Sequence, residues 1–389
     1  MNKLITRHLN GVVLILLALV SVYSHQTSAE QTLHSSQDYS LQVDKLTQLP
    51  GVPWGMDWLN STTLIVTLRR GELLSVDLNK AKLGQQAWQN IDGLPAIWAQ
   101  GQGGLLDVAK GPDGYFYFTY SKPQNGSGVT TLAKATIQQD DSGQVRLSAW
   151  QDLFISDSAS STNRHYGSRI AFDTQQHVYF SIGDRGVRDN GQNTLNHAAT
   201  IVRLKLDGSI PSDNPFVANS QVDDAIYSFG HRNPQGLAFD QIGQRLWAIE
   251  HGPRGGDELN LIQAGANYGW PITSHGKEYW SPLKVGDAEE QEGINSPLKV
   301  YVPSIAPGSL IHYSGNAFPA WQGDLFSGAL KLQHLNRIIM DENGMPAGEE
   351  RLLEELNERV RALLSDSHGN LYFSADSGNL YKVSPLAVP

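Results

Sequence analysis

No cysteine occurs in the 389 residues. That excludes disulfides, thiolate metal sites and a cysteine nucleophile, and it leaves no acceptor for lipid attachment near the N-terminus. Positive charge is scarce: 29 Lys and Arg stand against 39 Asp and Glu, a formal net charge of −10. Such an acidic balance disfavours nucleic acid and anionic membrane as partners, although a local basic pocket stays possible. Long apolar runs are missing except near the start. Lys3 and Arg7 precede an apolar stretch over 11–20, and Thr27-Ser28-Ala29 supplies small residues after it. The apolar stretch is too short to span a bilayer. The pattern predicts a secretory signal peptide over 1–29, cleaved after Ala29, and a periplasmic protein with no stable membrane insertion once cleavage is done. Removing Lys3 and Arg7 leaves 27 basic residues against 39 acidic, so the mature charge is −12.

Helical periodicity is also scarce. The one candidate helix is 348–358 (GEERLLEELNE). No GxGxxG joins a strand to a helix, and P-loop, HExxH and GxSxG signatures are absent. Those absences argue against nucleotide binding, zinc proteolysis and serine-hydrolase chemistry on their usual scaffolds.

What fills the chain instead is one recurring unit, a polar turn followed by an aromatic-rich strand ending in small and acidic residues. It reads GPDGYFYFTY at 111–120, DTQQHVYFSIGD at 173–184, DQIGQRLWAIEHG at 240–252 and DSHGNLYFSAD at 366–376. Weaker copies sit at 56–71 and 318–330. Six copies at intervals of tens of residues predict an all-β, six-bladed β-propeller. No linker or composition break divides 30–389, so a single domain is expected. The strand at 39–46 is expected to pair with 381–385 and close the ring. The Pro-, Gly- and Ser-rich stretch between 270 and 310 reads as loops on one face.

Five polar stretches stand at strand ends or in loops: Gln100–Leu106 with Gln102, Asn163–Arg169 with His165, the segment GHRNPQG with Arg232 and Asn233, EHGPRGGDE running on to NYGW, and a late basic set of Lys331, Arg359 and Arg361. Arg359 and Arg361 are two apart on an expected strand and so share a face. Arginines and a lysine converging with amides suit a planar, oxygen-rich anion. Asp257 and Glu258 beside Gly-Pro carbonyls suit a hard cation such as Ca²⁺. Each element alone also has a structural reading. His165 could be a hydrogen-bonding support, the two arginines surface charges or blade-to-blade ion pairs, and Asp257 and Glu258 solvated turn residues. Their order on separate blades is what favours a shared site.

GHRNPQGLAF and EHGPRGGDELNLIQAGANYGW resemble the soluble sugar dehydrogenases that depend on pyrroloquinoline quinone (PQQ). RHYGSR and IPSDNPF (210–216) are similar to the aldose sugar dehydrogenase branch. The resemblance covers roughly 45–380 and implies a six-bladed propeller binding PQQ and Ca²⁺. It implies that Gln102, Arg232, Asn233, Lys331, Arg359 and Arg361 hold PQQ, with Arg232 also at the reacting quinone edge. It implies that Gly252 and Pro253 present main-chain oxygens to a catalytic Ca²⁺. Glu258 and Tyr268, with Asp257 nearby, correspond to a second Ca²⁺ site, and His165 corresponds to the catalytic base. His231 is left as a support of its loop. Two departures stand out. Arg164 precedes the histidine where glucose dehydrogenases tend to have an acid, so the histidine's polarising partner has no name. Ala362 follows Arg361 where relatives often have Asp. The activity implied is oxidation of an aldose at C1 to the lactone, with electrons passed to an unnamed acceptor. The alternatives are a Ca²⁺-dependent propeller lactonase and a non-catalytic propeller that binds sugar or protein.

Overall fold

Each of the six repeats forms the second strand of a different antiparallel sheet: Thr63–Leu68, Phe116–Gln124, His177–Ile182, Arg245–Glu250, Leu325–Ala329 and Leu371–Ala375. The computed structural model describes residues 34–386. The expected signal peptide at 1–29 lies outside them. The polar turns work through their side chains. Asp173 Oδ1 accepts the N–H groups of Gln175 and His177, Asp240 Oδ1 those of Ile242 and Gly243, and Asp366 Oδ1 those of His368 and Asn370. A carboxylate that folds back on the backbone two residues on fixes a tight turn without a helix.

The first strands of the sheets are Pro53–Asn60, Leu105–Lys110, Ile170–Phe172, Pro234–Asp240, Pro307–His312 and Val360–Ser365. Each packs on the first strand of the next sheet, and the last packs on the first. This is a closed six-bladed propeller, here numbered blades I to VI. The closing contact is the expected one. Ser40–Gln48 pairs with Asn379–Pro385, with Val43 opposite Val383, so blade VI joins both ends of the described chain.

The blades explain the aromatic runs. A propeller strand is buried on both faces, so alternate residues enter different apolar layers. Phe116 and Phe118 pack with Ile65 and Leu73 of blade I, whereas Tyr117 between them packs with Ile170 and Phe180 of blade III. Burying each such ring contributes about 1.5–3 kcal/mol.

The expected helix at 348–358 is not formed. Pro346–Leu352 is the outer strand of blade V, paired with His334–Met340, and only Glu354–Leu356 turns as a 3₁₀ helix. Leu353 and Asn357 adopt left-handed backbone (φ 62 and 50), which ends a helix on either side. The apolar pair Leu352 and Leu353 instead enters the layer between blades V and VI. Tertiary pairing outweighs helix propensity here.

On the propeller axis sits Arg169, with contacts to all the other blades. Its Nη1 donates to Trp54 O (2.9 Å) of blade I and Asp107 Oδ1 (2.9 Å) of blade II, and its Nε to Gln235 O (2.9 Å) of blade IV. Its Nη2 donates to Gly308 O of blade V and to Arg361 O (3.1 Å) of blade VI. Glycine is required where these inner strands crowd the axis. A Cβ on Gly55 would lie 2.5 Å from Asp107 Oδ1.

Candidate active site

Above Arg169 lies a cavity of about 310 Å³ lined by Trp54, Gln102, Asn233, His251, Arg359 and Arg361, among others. A larger one, about 600 Å³, opens at the other end of the axis. Its wall mixes apolar strand residues with polar ones, among them Asp57, Asp107, Lys110, Arg169 and His312. Of the residues singled out in the sequence, Arg169 and Ala362 line it, but none of those expected to hold the cofactor does. Gln102, Asn233, Arg359 and Arg361 line the smaller cavity, which is therefore the candidate site.

The loop carrying His165 is strained. His165 and Ser168 have φ of 54 and 104, beside Gly167 at 62. Non-glycine residues held there cost of order 1–3 kcal/mol each and persist only when their surroundings fix them. Here the His165 N–H donates to Gln102 Oε1 (2.7 Å), the Gly167 N–H to Asn233 Oδ1 (3.1 Å) and the Ser168 N–H to Ser181 O (2.6 Å). Gln102 and Asn233, from blades II and IV, therefore aim the histidine loop of blade III.

The partner that sequence reasoning left unnamed is Asp184. Its Oδ1 lies 2.6 Å from His165 Nδ1 and also accepts the Gly186 N–H (2.6 Å), while Oδ2 accepts Trp270 Nε1–H (2.8 Å). Asp184 is buried. Burial draws its carboxyl upward, but the His165 hydrogen bond, the Arg232 charge and the Gly186 N–H together hold it below the usual carboxylate range. Burial lowers the His165 imidazole below its usual value. The Asp184 bond opposes that shift, and the charges of Arg232 and Arg164 add to it. His165 is therefore neutral at pH 7. With Nδ1–H directed at Asp184, Nε2 carries the lone pair, and no described residue bonds to it.

Glu250 organises the GHRNPQG turn. Its Oε2 accepts the N–H groups of Arg232 (2.6 Å) and Asn233 (3.3 Å), and its Oε1 lies 2.9 Å from His231 Nδ1. His231 is buried and stacks on Tyr268. Arg232 Nη1 donates to His251 O (2.9 Å), and its guanidinium lies 5.3 Å from the centre of the Trp270 ring. Across the cavity one carboxylate serves both late arginines. Asp376 Oδ1 and Oδ2 accept from Arg361 Nε (2.8 Å) and Nη2 (3.0 Å), and Oδ2 also from Arg359 Nε (2.9 Å). Arg361 lies over Trp54, 4.4 Å from the ring centre. One of the two positive charges is thus compensated. Lys331 is exposed and lies one residue past Leu330, which lines the cavity.

Beside His251 is a third cavity of about 10 Å³, room for a single water or ion, whose lining includes Glu250, Gly252, Pro253, Glu258 and Tyr268. Burial and the Glu250 charge push the Glu258 carboxyl well above its usual value, and no described cation pairs with it. The Tyr268 hydroxyl is turned away, donating to Leu261 O (2.6 Å). Its carbonyl and that of Gly252 accept no hydrogen bond from the described residues. A carboxylate with no counter-charge beside the unpaired Tyr268 carbonyl is a donor set that fits one hard cation, and the Gly252 carbonyl is left free for another. Among the described residues no three acidic or histidine side chains cluster tightly enough to hold a metal by themselves, so main-chain oxygens would have to complete any such site. Asp257 uses both oxygens otherwise, accepting the N–H groups of Gly252 (2.9 Å) and Ala306 (2.7 Å). It shapes the Gly252-Pro253 turn.

Asp184 and Asp376, missed in the sequence, and Glu250, which opens the EHGPRGGDE stretch but had no role assigned, share a signal. Each is the acid that ends the repeat in blades III, IV and VI, and each holds another group of the site.

Comparison with known proteins agrees with this architecture. Residues 51–382 match the Glucose / Sorbosone dehydrogenase family. The chain is 35% identical to the aldose sugar dehydrogenase YliI of Escherichia coli, over 86% of this chain and 90% of that protein. It is 28% identical to quinoprotein glucose dehydrogenase B of Acinetobacter calcoaceticus, over 73% and 75%. The crystal structure of the soluble aldose sugar dehydrogenase of Escherichia coli in its apo form superposes with a TM-score of 0.82 at 32% identity, covering 89% of this chain and all of that one. With its fold, its cavity and its sequence in agreement, the chain belongs to the Glucose / Sorbosone dehydrogenase family.

Proposed function

We propose that the protein is a PQQ- and Ca²⁺-dependent dehydrogenase that oxidises aldoses at C1 to the lactone. The observation that carries this reading is His165, neutral and tied through Nδ1 to Asp184, with Nε2 unpartnered, directly before Tyr166 and Gly167, which line a cavity that holds the two late arginines. The names of the relatives, a sugar dehydrogenase and a quinoprotein, support the same chemistry.

PQQ supplies a two-electron quinone acceptor for the C1 hydride, and Ca²⁺ a Lewis acid beside it. Gln102, Arg232, Asn233, Arg359 and Arg361 would hold the cofactor's carboxylates and oxygens, with Lys331 reaching in from the rim. Gly252 and Pro253 would offer carbonyls to the catalytic ion, and Glu258 and the Tyr268 carbonyl would bind a second ion. His165 Nε2 takes the proton of the C1 hydroxyl. Asp184 keeps the ring in that tautomer and stabilises the imidazolium that forms. Arg232, buried against Trp270, places a fixed positive charge where negative charge develops. A lactonase would need carboxylates around an axial metal, but the axis here carries the Arg169 guanidinium. The expected signal peptide would deliver the enzyme to the periplasm, and an acceptor there would reoxidise it. Among the described residues no helix is long and apolar enough to cross a membrane.

The test is reconstitution. Apo-protein given PQQ and Ca²⁺ should show a cofactor absorption change on adding an aldose, with lactone as product. His165→Gln should keep the cofactor and lose ~10²–10⁴ in kcat. An enzyme carrying that substitution within tenfold of wild type would place the base elsewhere.

A further inference from the structure

Two arginines at the cavity have no counter-charge. Arg69 lines it, one residue past the strand Thr63–Leu68 of blade I. Arg164 is exposed and directly precedes His165. Among the described residues neither pairs with a carboxylate, whereas Arg70 pairs with Glu72 (2.5 Å) and Arg188 with Glu278 (2.8 Å).

The chain holds both in place without neutralising them. Arg69 Nη1 donates to Gly101 O. The next residue, Gln102, donates its N–H to Asn163 O (2.8 Å) and accepts the His165 N–H (2.7 Å). The rim of the cavity thus runs unbroken from Arg69 through Gln102 to Arg164 and His165. Arg164 O accepts from Arg185 Nε (3.2 Å), and the Arg164 side chain lies over Gly186, where a Cβ would strike Arg164 Nε. The Gly186 N–H in turn bonds the Asp184 oxygen that faces His165. Arg164 therefore stands beside the His165–Asp184 pair, and its charge helps to keep that histidine neutral.

The cofactor proposed for the cavity would not use these two charges up. Asp376 meets one charge of the Arg359–Arg361 pair. The other, with Arg232 and Lys331, matches the three carboxylates of PQQ. Arg69 and Arg164 remain, at the mouth of a site on a chain of net charge −10. A guanidinium presents a planar fork that takes a carboxylate or phosphate in two parallel bonds. We infer that Arg69 and Arg164 form a rim site for an anionic group carried by the aldose away from C1, so that the enzyme favours acidic aldoses over neutral ones. This rests on the proposed aldose oxidation.

The holoenzyme, loaded with PQQ and Ca²⁺, would be assayed on glucose, glucuronic acid and glucose 6-phosphate, which share one ring and differ at C6. At low salt wild type should favour at least one of the acids over glucose by about three- to tenfold in kcat/KM, through KM, since each exposed guanidinium is worth up to about fivefold. Preference for only one acid upholds the site and names carboxylate or phosphate as its group. Arg69→Gln with Arg164→Gln should bring the ratio to within twofold of unity, and Arg164→Lys, which keeps the charge, should retain it. Salt at about 0.5 M should erase it by screening. Equal use of all three sugars overturns the rim site. So does a preference that survives the double substitution or high salt. A PQQ titration separates the cofactor: a dissociation constant raised tenfold or more in either single variant gives that arginine to PQQ and overturns its assignment here. If no aldose is oxidised, the functional reading fails by itself, and binding then decides the rim site. Trp98 Nε1 donates to Asn163 Oδ1 (2.8 Å), beside Arg164, so tryptophan fluorescence can follow it. Tighter titration by glucuronic acid or glucose 6-phosphate than by glucose, lost in the double variant, upholds the site, and any other result overturns it.

Discussion

Replacing Asp184 by Asn changes one oxygen to an NH₂ group and leaves shape nearly untouched, yet the surroundings cannot accept the change. Both carboxylate oxygens are acceptors in this structure, one toward His165 and Gly186 and the other toward Trp270. An amide has one acceptor and two donors. If its oxygen faces His165, the NH₂ opposes the Trp270 N–H. If it faces Trp270, the NH₂ turns to His165 Nδ1, the ring proton moves to Nε2, and the atom proposed to accept the substrate proton is blocked. The lost charge matters as well. An anion about 4 Å from the imidazolium charge contributes ~4 kcal/mol at an effective dielectric constant near 20, equivalent to ~10³ in rate. The expected result for Asp184→Asn is therefore a kcat about a thousandfold lower with the PQQ dissociation constant within threefold of wild type. Steady-state assays with a dye acceptor and a PQQ titration measure the two. The pH profile adds a signed check. Wild-type kcat should fall as pH drops through the His165 pKa, which lies below 6.5. Asp184 raises that pKa, so in the variant the acid limb should move to still lower pH. An Asp184→Asn enzyme within threefold of wild type and with an unmoved acid limb would refute the reasoning.

The two late arginines should differ. The Arg361 side chain is 9% exposed and that of Arg359 is 47% exposed, so Arg361→Ala should weaken PQQ binding roughly 30–150-fold and Arg359→Ala less than tenfold, by equilibrium titration. Glu258→Gln relieves the repulsion from Glu250, so it should raise the melting temperature of chelator-treated protein. It should also abolish the Ca²⁺-dependent gain, ~3 kcal/mol at a hundredfold excess over Kd; a lower melting temperature with the Ca²⁺ gain intact would remove Glu258 from the site. Arg169→Met strands Asp107 and should cost about 3–5 kcal/mol in urea unfolding. Arg169→Met with Asp107→Leu should recover part of that loss, whereas strictly additive losses would show that the pair is not coupled.

The sequence by itself determined the blades. An aromatic strand after a carboxylate-closed turn, repeated six times, is a local pattern, and burial of both strand faces makes it recur in each blade. The ring closure between Ser40–Gln48 and Asn379–Pro385 was legible for the same reason. The helix expected at 348–358 was not, because the apolar spacing of Leu352, Leu353 and Leu356 fits a helix face equally well and only the neighbouring strand His334–Met340 decides between them. In the candidate site, His165, Arg232, Asn233, Arg359 and Arg361 could be proposed because each lies in an unusual polar stretch. Their partners could not. Asp184 lies 19 residues from His165, and Asp376 lies 15 from Arg361, and an acid at a strand end is common. Which acid faces which base depends on how strands and loops turn toward the axis, and that is settled by packing among the blades rather than by any local run of residues.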